Sequence, residues 1–189
     1  TILRGVAGSG KTTIMKEAID AIEANGTHVT VLAPTAEAAH GVLAEQEKFN
    51  ADTLARFMVD RRMQATAIGG VLWIDEGALV GTRDLARLTD IARAIDARLI
   101  LSGDARQHQP VAAGQPFRLL ETQAGIKPFE IKTIRRQEKE SYREAIATLS
   151  EGDAEFGLQQ LDALGYVTEI DDDETRYKSL ANTYADNVE

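Results

Sequence analysis

Residues 5–12, Gly-Val-Ala-Gly-Ser-Gly-Lys-Thr, satisfy the pattern G-x-x-x-x-G-K-[ST] at every fixed place. A short apolar run, "TILRG", precedes them, and Ile14, Met15, Ala18, Ile19 and Ile22 follow at helical spacing. Strand, glycine loop and helix in that order restrict the fold more than any other feature of the chain. A polyphosphate held by such a loop must come within hydrogen-bond reach of several backbone amides. Side chains at Gly8 or Gly10 would block that approach or forbid the φ values the loop requires. The amides then point inward at a helix N-terminus, where the dipole favours negative charge. Gly5, Gly8, Ser9, Gly10, Lys11, Thr12 and Thr13 form the candidate nucleotide-binding set, with Lys11 reaching the β and γ phosphates and the Thr12 hydroxyl on Mg²⁺.

A phosphate loop needs a carboxylate for its metal. "GGVLWIDE" reads as a buried strand ending in Asp75 and Glu76. Asp75 is the candidate Mg²⁺ ligand, and Glu76 is placed to orient or deprotonate an attacking water. Trp73 reads as core. "LSGDARQHQPV" closes another buried strand, "ARLILSGD". Asp104 and Gln107 lie one helical turn apart there, and an amide such as Gln107 can meet both a γ-phosphate and the water. Strand and helix alternate over the first 105 residues, including "HVTVLAP", a helix over 36–48, a short helix in "DTLARFMVDRRM" capped by Asp52 or Thr53, and a helix over 82–95 starting at a Thr82 cap. That alternation predicts a P-loop α/β fold, a mainly parallel central sheet covered by helices on both faces. Beyond it come a strand-like piece in "IKPFEIKTIRRQ", helices over 138–150 and 153–164, a short strand in "GYVTEI" and a terminal helix. The run Asp171-Asp172-Asp173-Glu174 reads as that helix's start rather than a metal loop, since acids suit the dipole there.

Net charge is −9, which argues against a nonspecific binder of duplex DNA but leaves room for a narrow single-strand groove. With no cysteine there are no disulfides or thiolate metal sites, and His28, His40 and His108 lack metal-ligand spacing. No apolar run approaches membrane-spanning length, and a cytoplasmic location is expected.

The ordered set GVAGSGKTT, APTAEAA, LWIDE, SGDARQHQPV and IRRQ resembles motifs I, Ia, II, III and IV of superfamily 1 DNA helicases, within them the RecD-like branch, and especially the helicase region of conjugative relaxases. "IRRQEKESYREAIATLSEGD" and "ADTLARFM" carry the relaxase likeness. The resemblance implies a RecA-like three-layer sandwich in which "RLILSG" lies between "TILRG" and "VLWIDE", with "HVTVLA" outermost. It implies ATP and Mg²⁺ as ligands, ATP hydrolysis, and catalytic roles for Lys11, Glu76, Gln107 and Arg136, with Arg135 the rival for the arginine that approaches the phosphates. Single-stranded DNA is the implied partner, met by Pro34 and Thr35 of the second motif and by Thr53. Phe57 reads as core packing with base stacking as the alternative, and Arg61-Arg62 as a solvated face. The expected division is an ATP-binding lobe over 1–137 and a helical extension over 138–189 leading to a second RecA-like lobe. The chain is thus expected to be a piece of a longer protein, with little activity by itself. A nucleotide kinase or other P-loop phosphotransferase, and a non-catalytic single-strand-binding module, are the competing readings.

Overall fold

The computed structural model of the chain describes residues 1–5, 10–46, 49–104, 110, 112–131 and 139–186. They form two compact units, Thr1–Arg136 and Gln137–Glu189.

The first unit is built on a six-stranded sheet: β1 (Ile2–Gly5), β2 (Val29–Ala33), β3 (Ala51–Thr53), β4 (Val71–Ile74), β5 (Arg98–Gly103) and β6 (Phe129–Ile131). Their spatial order is β3-β2-β4-β5-β1-β6, and every pairing is parallel. The four middle strands therefore stand in the order the sequence resemblance implies. Parallel strands need crossovers, and these supply α1 (Lys11–Ala24), α2 (Leu54–Val59), α3 (Arg61–Thr66), α4 (Thr82–Ala94) and α5 (Pro116–Thr122).

Side-chain alternation along the strands sorts the core into two layers. Leu32, Leu72, Ile74 and Leu101 share one cluster with Leu54 and Phe57 of α2 and Leu85 and Leu88 of α4. Leu3, Val29, Val31, Val71 and Trp73 share the other with Met15 and Ile19 of α1 and with Ala38, Ala39 and Leu43. Because β2 and β4 are buried on both faces, β4 reads as an unbroken apolar run and β2 as one interrupted only by the buried Thr30.

Three local expectations are revised in this first unit. The helix after β2, Glu37–Gln46, is wound as a π-helix. The segment expected as one short helix begins as the edge strand β3, caps α2 through Thr53, and breaks at Asp60 into α2 and α3. Asp60 is extended (φ −86°, ψ 100°), and its carboxylate accepts from Arg62 N–H (2.9 Å) and Met63 N–H (3.2 Å), which favours a new helix start over continuation. At α4, Gly81 is the cap residue and Thr82 the first helical one; Thr82 N–H donates instead to Ala113 O (3.2 Å).

The second unit holds α6 (Glu140–Glu151), α7 (Ala154–Ala163) and α8 (Asp173–Asp186). α6 and α7 form a hairpin in which Gly157 lets Leu149 come close: a Cβ on Gly157 would lie 2.6 Å from Leu149 Cγ. Residues 166–170 form no strand. A strand needs a ladder partner, and none among the described residues pairs with them; Tyr166 packs on the Tyr142 ring instead, centroids 4.9 Å apart. The acidic run starts α8, with Asp172 accepting from Thr175 N–H (2.8 Å).

These caps set a pH dependence. Bonds from Met63 and Arg62 N–H hold the Asp60 carboxyl below its usual range, and bonds from Thr175 do the same at Asp172. A folded-state pKa below the unfolded one gives stability that is present above the unfolded value, about 4 for Asp, and lost as pH falls through the folded value. Acid titration followed by amide NMR should show the first turns of α3 and α8 loosening below pH ~4. Asp60→Asn, a neutral residue that still caps, should remove that response at α3.

Candidate nucleotide-binding site

β1, β4 and β5 are parallel, so their C-terminal ends open on one edge of the sheet, where open α/β folds bind ligands. Gly5 ends β1, and α1 starts at Lys11 after Gly10, whose φ of +86° is left-handed backbone that glycine adopts without strain. A Cβ on Gly10 would meet nothing within 4 Å among the described residues. Lys11, half-buried, crosses from the helix back to the loop's beginning and donates through Nζ to Gly5 O (2.5 Å). Thr12 is half-buried and Thr13 exposed in the same first turn. Gly8 and Ser9 lie outside the described residues.

Asp75 follows directly on β4, half-buried, with its N–H bonded to Leu32 O (2.9 Å). Its Oδ1 accepts from Ser102 Oγ (2.7 Å) at the end of β5. Glu76 is exposed and has φ +50°, a left-handed conformation uncommon outside glycine and asparagine. The 3₁₀ turn Gly77–Leu79 holds it there, with Leu79 N–H donating to Glu76 O (2.9 Å). That turn packs tightly on β5. A Cβ on Gly77 would lie 3.3 Å from Leu101 Cβ and from Ser102 O, and one on Gly103 would lie 3.1 Å from Ala78 N. The two glycines let the exits of β4 and β5 meet. Asp104 is buried.

The donor set suits magnesium. Mg²⁺ takes oxygen ligands, keeps several waters, and relies on one or two carboxylates plus phosphates. Asp75 and Thr12 are such oxygen donors. Among the described residues, no group of three or more His, Asp or Glu converges that could form an all-protein cage.

The structure thus places Gly5, Gly10, Lys11, Thr12, Asp75 and Glu76 on the C-terminal edge. Gln107, Arg135 and Arg136 lie outside the described residues. Pro34 and Thr35 leave the end of β2, and Thr53 ends β3 in register with Ala33, so the three candidate DNA contacts also lie on this edge. Both hydroxyls act as caps: Thr35 Oγ1 accepts from Ala38 N–H (3.1 Å) and Thr53 Oγ1 from Arg56 N–H (3.2 Å). Phe57 is fully buried. The sequence analysis assigns no role to Ser102, a polar residue inside the apolar β5 run, whose only signal is that break in the run.

A family profile described as AAA domain matches residues 1–172. The multifunctional conjugation protein TraI of Escherichia coli strain K12 is 33% identical over 176 residues, covering 87% of this chain and 10% of that protein. The conjugal transfer protein TraA of Rhizobium radiobacter is 34% identical over 156 residues, covering 82% of this chain and 14% of that protein. The chain therefore spans about a tenth to a seventh of the length of these relatives. Among solved structures, the arterivirus nonstructural protein 10 helicase in complex with DNA superposes with a TM-score of 0.52 at 16% identity, over 79% of this chain and 40% of that one; the likeness concerns the fold.

Proposed function

The chain belongs to the AAA domain family, in its RecD-like superfamily 1 helicase branch, and from that membership we propose that it is the ATP-binding motor lobe of a helicase that moves along single-stranded DNA during conjugative transfer. The observation that supports the reading is that Gly5 at the end of β1 and Gly10, Lys11 and Thr12 at the start of α1 stand on the same edge of a parallel sheet as Asp75 and Glu76.

In this reading Lys11 leaves Gly5 O for the β and γ phosphates, and the amides at the start of α1 face the phosphate oxygens. Thr12 and Asp75 would hold Mg²⁺, which when bound supplies charge neutralisation between the phosphates. Glu76 accepts a proton from the attacking water. Gln107 senses the γ-phosphate, and Arg136, or Arg135, neutralises charge on the leaving phosphates. Thr35 and Thr53 use a lone pair for capping and keep a hydroxyl proton to donate to a DNA phosphate, which holds the strand without added positive charge. This suits a chain of net charge −9. A second lobe of the same parent protein would close over the nucleotide, and γ-phosphate loss would reopen the cleft. Residues 1–137 are the lobe in this reading, and 138–189 start the connection. Among the described residues no helix is long and apolar enough to cross a membrane.

Equilibrium titration of the chain with a fluorescent ATP analogue and Mg²⁺, with and without a labelled single-stranded oligonucleotide, tests the proposal. Weak nucleotide binding is expected, and Lys11→Ala should weaken it roughly 10- to 100-fold, since charge-assisted bonds contribute about 1.5–3 kcal/mol. Phosphate release by the chain alone should be slow. Phosphoryl transfer to a nucleoside monophosphate would point to a kinase instead, and robust unwinding by this chain alone would overturn the single-lobe reading.

A further inference from the structure

Trp73, Ser102 and Asp75 form a hydrogen-bonded chain that runs from the core to the sheet edge. Trp73 Nε1–H donates to Ser102 Oγ (3.0 Å), and Ser102 Oγ–H donates to Asp75 Oδ1 (2.7 Å). Trp73 and Ser102 are buried, Ser102 completely. The sheet register makes the chain possible. Trp73 and Asp75 are two apart, so Asp75, one residue past the end of β4, continues the face that Trp73 occupies. Ile74 pairs with Leu101, so Asp75 and Ser102 each lie one residue past that pair on neighbouring strands. On its other side Ser102 pairs with Leu3 of β1, two residues before the phosphate loop begins.

We propose that Ser102 is a positioning residue for the Asp75 carboxylate, and that Trp73 reads, through Ser102, whether a magnesium–nucleotide complex is bound there. The inference rests on the reading of Asp75 as the magnesium carboxylate. An indole N–H is donor only, so it occupies the acceptor side of Ser102 Oγ. The single hydroxyl proton is then left for an acceptor. Asp75 Oδ1 at 2.7 Å is a charged partner, whereas Ile74 O lies at 3.3 Å, so the carboxylate takes the proton. Fixing Oδ1 sets the rotamer of Asp75 and reserves Oδ2 for a ligand. Partners of this kind orient metal-binding carboxylates, and their removal typically costs about 10- to 100-fold in metal affinity. The alternative is that Ser102 serves only to satisfy a buried indole, as any buried tryptophan requires. In that case its loss would lower stability and leave the magnesium dependence alone.

Trp73 is the chain's single tryptophan, so its emission reports this site without labelling. The whole chain is titrated with Mg²⁺ at a fixed, saturating concentration of a non-hydrolysable ATP analogue while Trp73 emission is followed. A parallel titration with Mn²⁺ counts bound ion by electron paramagnetic resonance. Emission should change with the same midpoint as ion binding. Ser102→Ala should raise the metal midpoint at least about tenfold and abolish the emission change, and Ser102→Thr, which keeps the hydroxyl, should restore both. Two results overturn the proposal alone: wild-type protein that binds the metal–nucleotide complex with no change in emission, or Ser102→Ala with the wild-type midpoint. Wild-type protein that binds nucleotide but no ion overturns the magnesium reading of Asp75 as well. The wild-type titration decides the matter even where neither variant folds.

Discussion

Glu76→Gln is expected to slow ATP hydrolysis about 10²- to 10⁴-fold, the usual contribution of a positioned general base, while nucleotide affinity stays unchanged. The measurement is single-turnover phosphate release with single-stranded DNA, in a protein where this lobe is joined to its second lobe, beside nucleotide titration of the chain itself. Glu76 sits one residue beyond Asp75, exposed at the C-terminal edge of the sheet. Its left-handed backbone is a local cost of order 1 kcal/mol or more, maintained by the 3₁₀ turn and by the close contact of Gly77 with β5. Glutamine has the same length and the same backbone penalty, so the substitution removes the charge and the proton affinity while keeping the side chain's size. Wild-type turnover by the variant would exclude Glu76 as the base, and a parallel loss of nucleotide affinity would reassign it to binding.

What could be read from the sequence alone has a physical pattern. The middle strands were accessible as apolar runs long enough to register, and Asp75-Glu76 as a pair of acids at the end of one of them; the spatial order of those strands came from the helicase resemblance, not from anything local to each run. β3 was not, since three residues carry too little periodicity against the helix that follows. Ten residues could not separate a π-helix from an α-helix at Glu37–Gln46. The break at Asp60 depends on one carboxylate reaching two amides, and the same letters suit a helix surface. "GYVTEI" alternates like a strand, but alternation does not provide the neighbouring strand that pairing requires. The Trp73–Ser102–Asp75 chain was the least accessible feature. It exists because β4 and β5 pair in one register, and nothing local to either strand specifies that register.

Phe57→Ala is expected to destabilise the first unit by about 3–5 kcal/mol, the range for removing a large aromatic ring from a packed core. Phe57 has no exposed surface and belongs to the cluster with Leu32, Leu54, Leu85 and Leu88. Its backbone is held as well: Gln64 Nε2–H donates to Phe57 O (2.8 Å), and Arg87 Nη2–H donates to the neighbouring Met58 O (3.2 Å). The helix therefore has little freedom to collapse into the space left by the ring, which places the cost toward the upper end of that range. Urea denaturation would read the loss as a lower midpoint. Phe57→Leu, which refills part of the volume, should recover much of it. A base-stacking role would need an exposed ring and would predict the opposite pair of results, near wild-type stability with weakened single-strand binding. Packing under α2 also bears on the proposed DNA edge, because α2 starts at the Thr53 cap in register with the end of β2. Oligonucleotide affinity measured well below the variant's melting temperature should thus be preserved, and should fail only as the fold does.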